Sequence, residues 1–137
     1  KGYICNGIDN ATYENDLWEY DPTQDVWTEK QKIVDKSDLD FDDKYTSIMG
    51  IYKVAFTIND KAYVATGGEG TAGNKVWEYD PISDLWTEKT SFEGAGRINA
   101  VAFSIGDRGY VATGSNGSTF FDDIWAFDPN AEYNDED

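Results

Sequence analysis

Three segments of the chain repeat one another, and this self-similarity constrains the fold more than any other feature. One motif reads Asp16–Pro22, and it returns as Lys75–Pro81 and as Asp123–Pro129, each time with Trp in the third position. A second motif precedes it and carries Tyr at positions 3, 63 and 110. Because the two motifs shift together along the chain, the spacing predicts one supersecondary unit used three times.

The motifs are predicted to be short β-strands. Each is rich in β-branched and aromatic residues, and each is bounded by turn residues such as Asn59-Asp60 and Asp80-Pro81. The unit therefore holds four antiparallel strands, here called a to d. The middle unit places them at 51–58, 61–67, 75–80 and 84–90. The first unit supplies strands b, c and d and the last supplies a, b and c, so the sequence predicts an all-β chain of ten strands.

The unit resembles the kelch repeat. The resemblance rests on a strand that ends in Gly67-Gly68, followed by Tyr79 and Trp86 with six residues between them, and Tyr20 and Trp27 repeat that spacing. It implies a kelch-type β-propeller of about three four-stranded antiparallel blades, the first and last incomplete, within a larger ring. The implied divisions are blade i at 2–33, blade ii at 50–92, blade iii at 96–129 and an acidic tail at 130–137.

The repeated positions have structural roles in such a blade. Glycines at the end of strand b permit positive φ and close approach of another backbone, and the large rings are expected to fill the wedge between blades. A buried Trp27 or Trp86 replaced by alanine should cost about 3–5 kcal/mol. The positions are Gly67, Gly68, Trp18, Tyr20, Trp27, Trp77, Tyr79, Trp86 and Trp125.

Charge and composition exclude several classes of function. The net charge is −16, from 27 acidic and 11 basic residues, so phosphate backbones and anionic membrane surfaces are repelled and no nucleic-acid partner is expected. No apolar stretch is long enough to insert into a membrane. Cys5 is the one cysteine, which excludes an intrachain disulfide, and no cofactor is expected.

Candidate binding residues lie in the loops. In this topology the b–c and d–a loops emerge at one end of the sheets, where a rigid scaffold can present a binding surface. Tyr13, Phe120 and Phe121 suit a protein or glycan partner, with local packing as the alternative. Arg97 suits a carboxylate ligand, with an ion pair to a nearby acidic residue as the alternative.

A metal site is a weaker candidate. Asp38, Asp40 and Asp42 alternate in the first d–a loop, and carboxylate oxygens are the ligands that Ca²⁺ prefers. The EF-hand pattern fails there. Counting from Asp38, position six is Asp43 where the pattern needs Gly, and position twelve is Met49 where it needs Glu. A solvated acidic loop is the default interpretation.

The sequence thus predicts a non-catalytic binding module or scaffold for protein or glycan. The alternatives are a structural subunit of a surface assembly and a part of a kelch-type carbohydrate-active enzyme. The chain has no histidine, so these blades alone cannot hold the copper centre that the resemblance associates with one such enzyme. The resemblance further implies an exported bacterial (Bacteroidetes-like) protein, whether extracellular, at the cell surface or periplasmic. The remaining blades would come from a longer chain or from partner chains.

Overall fold

The chain folds into short antiparallel strands. The computed structural model describes residues 1–33 and 48–134, and that part of the chain contains twelve strands and no α-helix, which confirms the all-β prediction. The strands are β1 Gly2–Cys5, β2 Ile8–Asp9, β3 Thr12–Tyr13, β4 Leu17–Asp21, β5 Val26–Glu29, β6 Val54–Ile58, β7 Lys61–Ala65, β8 Val76–Asp80, β9 Leu85–Lys89, β10 Val101–Ile105, β11 Arg108–Ala112 and β12 Ile124–Phe127. Strands β2 and β3 are additional to the ten predicted, because two-residue strands carry no readable pattern.

The strands form three main sheets in which the chain order is the spatial order. The first sheet is β1-β4-β5, the middle sheet is β6-β7-β8-β9, and the third sheet is β10-β11-β12; β2 and β3 form a separate hairpin. The pairing register repeats from sheet to sheet. Ile4 faces Trp18, Val64 faces Trp77, and Val111 faces Trp125. The repeated motifs therefore occupy equivalent places in the three sheets.

The turns after strand c contain the same hydrogen bond in the first and middle sheets. The carboxylate of Asp21 accepts from the N–H of Thr23 at 2.8 Å, and Asp80 accepts from the N–H of Ile82 at the same distance. Such a bond from an Asp side chain to the backbone two residues on closes an Asx turn. The Asp-Pro of the motif thus starts a turn of fixed shape.

Two apolar clusters cover the two faces of the middle sheet. On β7, Val64 lies in the cluster shared with the first sheet, whereas Tyr63 and Ala65 lie in the cluster shared with the third sheet. Alternate residues of a strand point to opposite faces, so a strand buried on both faces needs a neighbour on each side. The three sheets are therefore layered in chain order.

Aromatic contacts join each sheet to the next in the same way. Tyr3 of the first sheet meets Tyr79 of the middle sheet edge-on, with ring centroids 5.8 Å apart. Tyr63 of the middle sheet meets Phe127 of the third sheet at 5.4 Å. Both contacts join strand b of one sheet to strand c of the following sheet. One packing mode is therefore used twice.

The outer faces of the first and third sheets stay exposed. Ile4 and Trp27 of the first sheet are 59% and 47% exposed, and Phe103 of the third sheet is 41% exposed. Phe103 stacks on Tyr110 at 5.3 Å, as Phe56 stacks on Tyr63 at 5.4 Å on the covered face of the middle sheet. Both exposed faces thus carry apolar side chains at positions whose equivalents in the middle sheet are buried.

The tryptophans divide according to this layering. Trp77 and Trp86 of the middle sheet are buried, but Trp27 and Trp125 are substantially exposed. Trp27 lies on the outer face of the first sheet, and Trp125 lies on β12, an edge strand of the third sheet. The structure differs from the sequence expectation at these two rings, because they lack the covering layer or strand that encloses the rings of the middle sheet.

Candidate functional site

The b–c and d–a connections meet at one end of the sheets, here called the loop end. The N–H of Gly67 donates to the carbonyl of Arg97 at 2.8 Å, and the N–H of Arg97 donates to the carbonyl of Gly73 at 3.0 Å. Ile51 and Gly68 form an isolated antiparallel bridge nearby. These backbone bonds tie the loop after β7 to the segments that lead into β6 and β10, so the loop end is a braced surface.

Glycine is required where these segments cross. Gly67 has φ of 67°, and an added Cβ would lie 2.7 Å from the carbonyl oxygen of Ile51 and from the N of Lys53. A side chain at this place would therefore combine backbone strain with collision against backbone atoms. The glycine at the end of strand b that the sequence singled out is needed for this crossing.

Arg97 lies inside the structure. Its side chain is fully buried, and its guanidinium forms a two-pronged ion pair with Asp123, at 2.5 and 3.0 Å. The group is also sandwiched between the rings of Phe92 and Phe121, at 4.6 and 4.3 Å from their centroids. The ion pair that the sequence offered as the alternative role of Arg97 is therefore present, and the buried guanidinium is not part of the binding surface.

Asp123 is held as a carboxylate by its neighbours. It accepts hydrogen bonds from Arg97 and, at 2.7 Å, from the indole N–H of Trp125, and these bonds lower its pKa to about 2. Arg97 also donates to the carbonyl of Thr113 at 2.8 Å. This cluster locks the segment before β10 onto the segment before β12 and so fixes one wall of the loop end.

The three predicted aromatic residues occupy different environments. Phe120 is 90% exposed, next to the bridge that joins it to Ser115. Phe121 is partly buried and stacks on Arg97. Tyr13 is partly buried on β3, in the separate hairpin that β2 and β3 form. Phe120 is thus available to a partner, Phe121 supports the Arg97 cluster, and Tyr13 belongs to another sheet.

A cavity of about 270 Å³ opens between the loops of the middle and third sheets. Its walls include Tyr52, Ile98 and Asn116. Tyr52 is exposed and has φ of 60°, a left-handed conformation that the equivalent Asn99 of the third repeat shares with φ of 55°. Sequence reasoning missed Tyr52 because the residue fell inside the predicted strand at 51–58, whereas β6 begins at Val54.

A second loop-end cavity, of about 240 Å³, is lined by Lys53, Thr66, Glu69 and Lys75 among others. Burial is the main cause that lowers the pKa of the Lys53 ammonium, to about 8. The nearby Cys5 thiol has its pKa raised to about 11, again mainly by burial, so it stays protonated where Lys53 titrates. Sequence reasoning missed Lys53 as well, although the substitution of Lys53 for Ala100 between repeats marks it as unusual.

The opposite end of the sheets holds a cavity of about 340 Å³, lined by Lys1, Tyr3, Lys61 and Tyr79 among others. Its two lysines are engaged by carboxylates at short range. Lys1 lies 2.7 Å from Asp21, and Lys61 lies 2.6 Å from Glu78. Both cations of this cavity are therefore held in ion pairs.

Across residues 1–33 and 48–134, no group of three or more His, Cys, Asp or Glu side chains is placed to hold a metal ion. The Ca²⁺ candidates Asp38, Asp40 and Asp42 lie outside the described residues. The described part of the chain has no helix with the length and apolar character to cross a membrane.

Comparison with known proteins adds no relative. No protein-family model matches the chain, and no curated protein matches it.

Proposed function

We propose that the chain is a segment of a kelch-type β-propeller and serves as a non-catalytic scaffold that binds protein or glycan through its loop end. The observation that carries this proposal is the sheet-to-sheet contact used twice, Tyr3 on Tyr79 and Tyr63 on Phe127. A contact that repeats with the sequence motif generates a regular series of layers. Such a series brings the loops of successive layers to one end, as the backbone bridges around Gly67 illustrate.

The proposed ring is completed by further sheets of the same kind. The outer face of the third sheet presents Phe103 stacked on Tyr110. The equivalent pair of the middle sheet, Phe56 and Tyr63, is covered by Phe127. The outer face of the first sheet presents Tyr20 stacked on Trp27, which corresponds to the buried pair Tyr79 and Trp86. Each outer face therefore presents an aromatic pair whose equivalent in the middle sheet is covered by a neighbouring sheet. The additional sheets come from a longer chain or from partner chains.

Light scattering of the 137-residue chain tests this arrangement. We expect association that increases with concentration, because the two exposed faces are complementary. Phe103→Asp and Trp27→Asp should each shift the mass toward the monomer. Ile82→Asp is the matched control, because Ile82 is an exposed apolar residue in the turn between β8 and β9. A chain that stays monomeric at high concentration would contradict the covering of the outer faces.

The proposed binding surface combines exposed aromatic rings with a braced backbone. Tyr52 and Phe120 present large rings at little conformational cost, and Ile98 supplies an apolar wall beside Tyr52. Rings of this kind stack on sugars and anchor peptide side chains, whereas the surrounding carbonyl and N–H groups supply hydrogen bonds. A protein or glycan partner fits this chemistry.

Binding to glycan and peptide arrays tests the proposed surface. Tyr52→Ser and Phe120→Ser should remove the signal, whereas Ile82→Ser, at the opposite end of the sheets, should leave it unchanged. An equal loss in all three variants would place binding elsewhere. Circular dichroism of each variant checks that the fold is intact.

A structural subunit of a surface assembly is the second candidate. The exposed apolar faces of the first and third sheets favour it, because faces of this kind mark interaction sites. The carbohydrate-active enzyme has less support, since the described carboxylates with lowered pKa values are all engaged in ion pairs; they are Asp21, Glu78, Asp80 and Asp123. Location outside the cytoplasm is part of the proposal and rests on the kelch resemblance.

A further inference from the structure

The chain contains two Asn-Gly pairs, Asn6-Gly7 and Asn116-Gly117, in different surroundings. At such a pair the backbone nitrogen of the glycine can attack the side-chain carbonyl carbon of the asparagine, because glycine has no side chain to obstruct the approach. A Cβ placed on either glycine would meet no atom of the described residues within 4 Å, so the two backbones are equally open. A difference in reactivity must therefore come from the surroundings of the asparagine side chains.

Asn116 is exposed, and its side-chain carbonyl oxygen accepts three hydrogen bonds. The donors are the N–H and the hydroxyl of Ser118, at 3.2 and 3.1 Å, and the N–H of Thr119, at 2.9 Å. Attack on the carbonyl carbon moves negative charge onto this oxygen, and donors that already surround the oxygen stabilise the charge as it develops. One short loop thus provides Asn116 with the equivalent of an oxyanion hole.

The attacking and the leaving nitrogen of this pair donate to no atom of the described residues. The backbone N–H of Gly117 has no acceptor there, so its proton can pass to solvent. The side-chain amide nitrogen of Asn116 also has no acceptor there, so it can depart as ammonia without breaking a hydrogen bond to the protein. Both nitrogens are therefore free to take part in the attack.

Asn6 has the opposite arrangement. Its side-chain nitrogen donates to the carbonyl of Ile48 at 3.0 Å, so the leaving group is held by the protein. Its side-chain oxygen is buried and accepts from no donor of the described residues, so negative charge that develops there would be costly. The Asn6-Gly7 pair should therefore react slowly, and it serves as an internal control for the Asn116-Gly117 pair.

The reactive pair lies in the wall of the cavity of about 270 Å³ between the loops of the middle and third sheets. No acidic or basic side chain of the described residues lines this cavity, although the chain as a whole carries a net charge of −16. The exposed ring of Tyr52 lines it as well. A carboxylate at position 116 would therefore add the first charge to a neutral wall of the proposed binding surface.

We propose that Asn116 is a self-modification site that makes this cavity anionic and weakens binding at the loop end. The nitrogen of Gly117 forms a bond to Cγ of Asn116 and gives its proton to solvent. The side-chain nitrogen takes up a proton from solvent and leaves as ammonia, so a cyclic imide remains. Water then opens the imide at either carbonyl to give aspartate or isoaspartate. One water is consumed and one ammonia is released, without oxidation or reduction.

The covalent step is independent of the proposed function, whereas its effect on binding rests on that function. Mass spectrometry tests the covalent step on protein incubated at pH 8, with fragment ions that locate the changed residue and chromatography that separates isoaspartate from aspartate. Asn116 should convert at least about tenfold faster than Asn6, because one donor to an oxyanion contributes about a hundredfold in a water-excluded site and less at a surface. Equal rates, or a faster Asn6, would overturn the proposal.

Two variants of the loop test the role of the hydrogen bonds. Ser118→Ala removes the hydroxyl donor and keeps both N–H donors, so conversion of Asn116 should slow severalfold. Thr119→Ala is the matched control, because Thr119 donates through its backbone N–H, which the variant keeps. A faster conversion in Ser118→Ala would mean that the hydrogen bonds restrain the asparagine, and it would overturn the proposal.

Array binding of fresh and aged protein tests the effect on binding. The ratio of aged to fresh signal should fall with the modified fraction in the wild type. It should stay constant in Asn116→Gln, whatever the fresh signal of that variant, because the longer side chain closes an imide ring slowly. A full signal from fully modified protein would overturn the effect on binding. If Tyr52→Ser and Phe120→Ser leave fresh binding unchanged, the proposed function fails, while the mass of the Asn116 peptide still decides the covalent step.

Discussion

The first and middle sheets contain the same aromatic pair in two environments. Tyr20 packs on Trp27 with centroids 4.9 Å apart, and Tyr79 packs on Trp86 at 5.1 Å. Yet Trp27 is 47% exposed and Trp86 is 5% exposed. The local sequence therefore determines how the two rings meet, and the neighbouring layer determines whether water reaches them. The middle sheet shows what a repeat looks like when both neighbours are present.

Replacement of the two tryptophans should give the largest difference. Trp86→Ala removes a buried ring and should cost about 3–5 kcal/mol, whereas Trp27→Ala removes a half-exposed ring and should cost about 1 kcal/mol. Urea unfolding followed by circular dichroism measures both. The experiment is run at low protein concentration so that association does not bury Trp27. Equal losses at that concentration would mean that Trp27 is covered in solution and would break the comparison.

The aspartates before strand c compare the first and third repeats. Asp123 and Asp16 each accept from a Trp indole N–H at 2.7 Å, but Asp123 also pairs with the buried Arg97. Asp123→Asn leaves that guanidinium without its counter-charge and should cost about 1.5–3 kcal/mol, against about 0.5–1 kcal/mol for Asp16→Asn. Thermal and urea unfolding at pH 7 measure both. Equal costs would show that the Arg97 pair adds nothing.

The low pKa of Asp123 gives the direction of the pH dependence. Folding lowers this pKa from its ordinary 3.8 to about 2, so the folded state holds fewer protons than the unfolded state between these values. The stabilisation is complete above pH 4 and is lost as the pH falls through 2. The difference in the free energy of unfolding between wild type and Asp123→Asn should therefore shrink as the pH falls from 4 to 2. A difference that stays constant down to pH 2 would contradict the assignment.

The repeated pattern allowed the strands to be predicted, because each strand satisfies a local rule of residue type and turn chemistry. The exposure of Trp27 was not predictable in this way, since it depends on a layer that the motif does not contain. The role of Arg97 was open between a ligand and an ion pair. The partner, Asp123, lies 26 residues further along the chain, and only the fold brings them together. Tyr52 and Lys53 fell inside the predicted strand at 51–58, whereas β6 begins at Val54, so only the alignment of one repeat with another singles them out.

The glycines at the end of strand b compare the first and middle repeats at a finer scale. Gly67 and Gly7 are equivalent and both have positive φ, but a Cβ at Gly7 would meet no atom of the described residues within 4 Å. Gly67→Ala should therefore cost about 2 kcal/mol more than Gly7→Ala, because only Gly67 lies against another segment. Melting temperatures of the two variants measure this. Equal shifts would mean that the crossing at Ile51 yields to the added methyl group.

Lys53 gives the smallest expected effect and compares the middle repeat with the third, which has Ala100 at the same place. Burial lowers the pKa of Lys53 from 10.5 to about 8, so the unfolded chain binds more protons between these values. Stability therefore rises with pH across that window, by about 1 kcal/mol for this half-buried group, relative to Lys53→Met.

Urea unfolding of wild type and Lys53→Met at pH 7 and at pH 10 measures this difference, and Lys32→Met gives the response of an exposed lysine. Comparison of variants is needed because burial raises the pKa values of Tyr63 and Tyr79 in the folded chain. Above pH 10 the unfolded chain therefore releases phenol protons that the folded chain keeps, so every variant loses stability there. The gain with pH should be present with Lys32→Met and absent with Lys53→Met. If Lys53→Met retains the gain, the ammonium of Lys53 is as well solvated as that of a surface lysine, and the charge difference between the two repeats has no energetic consequence.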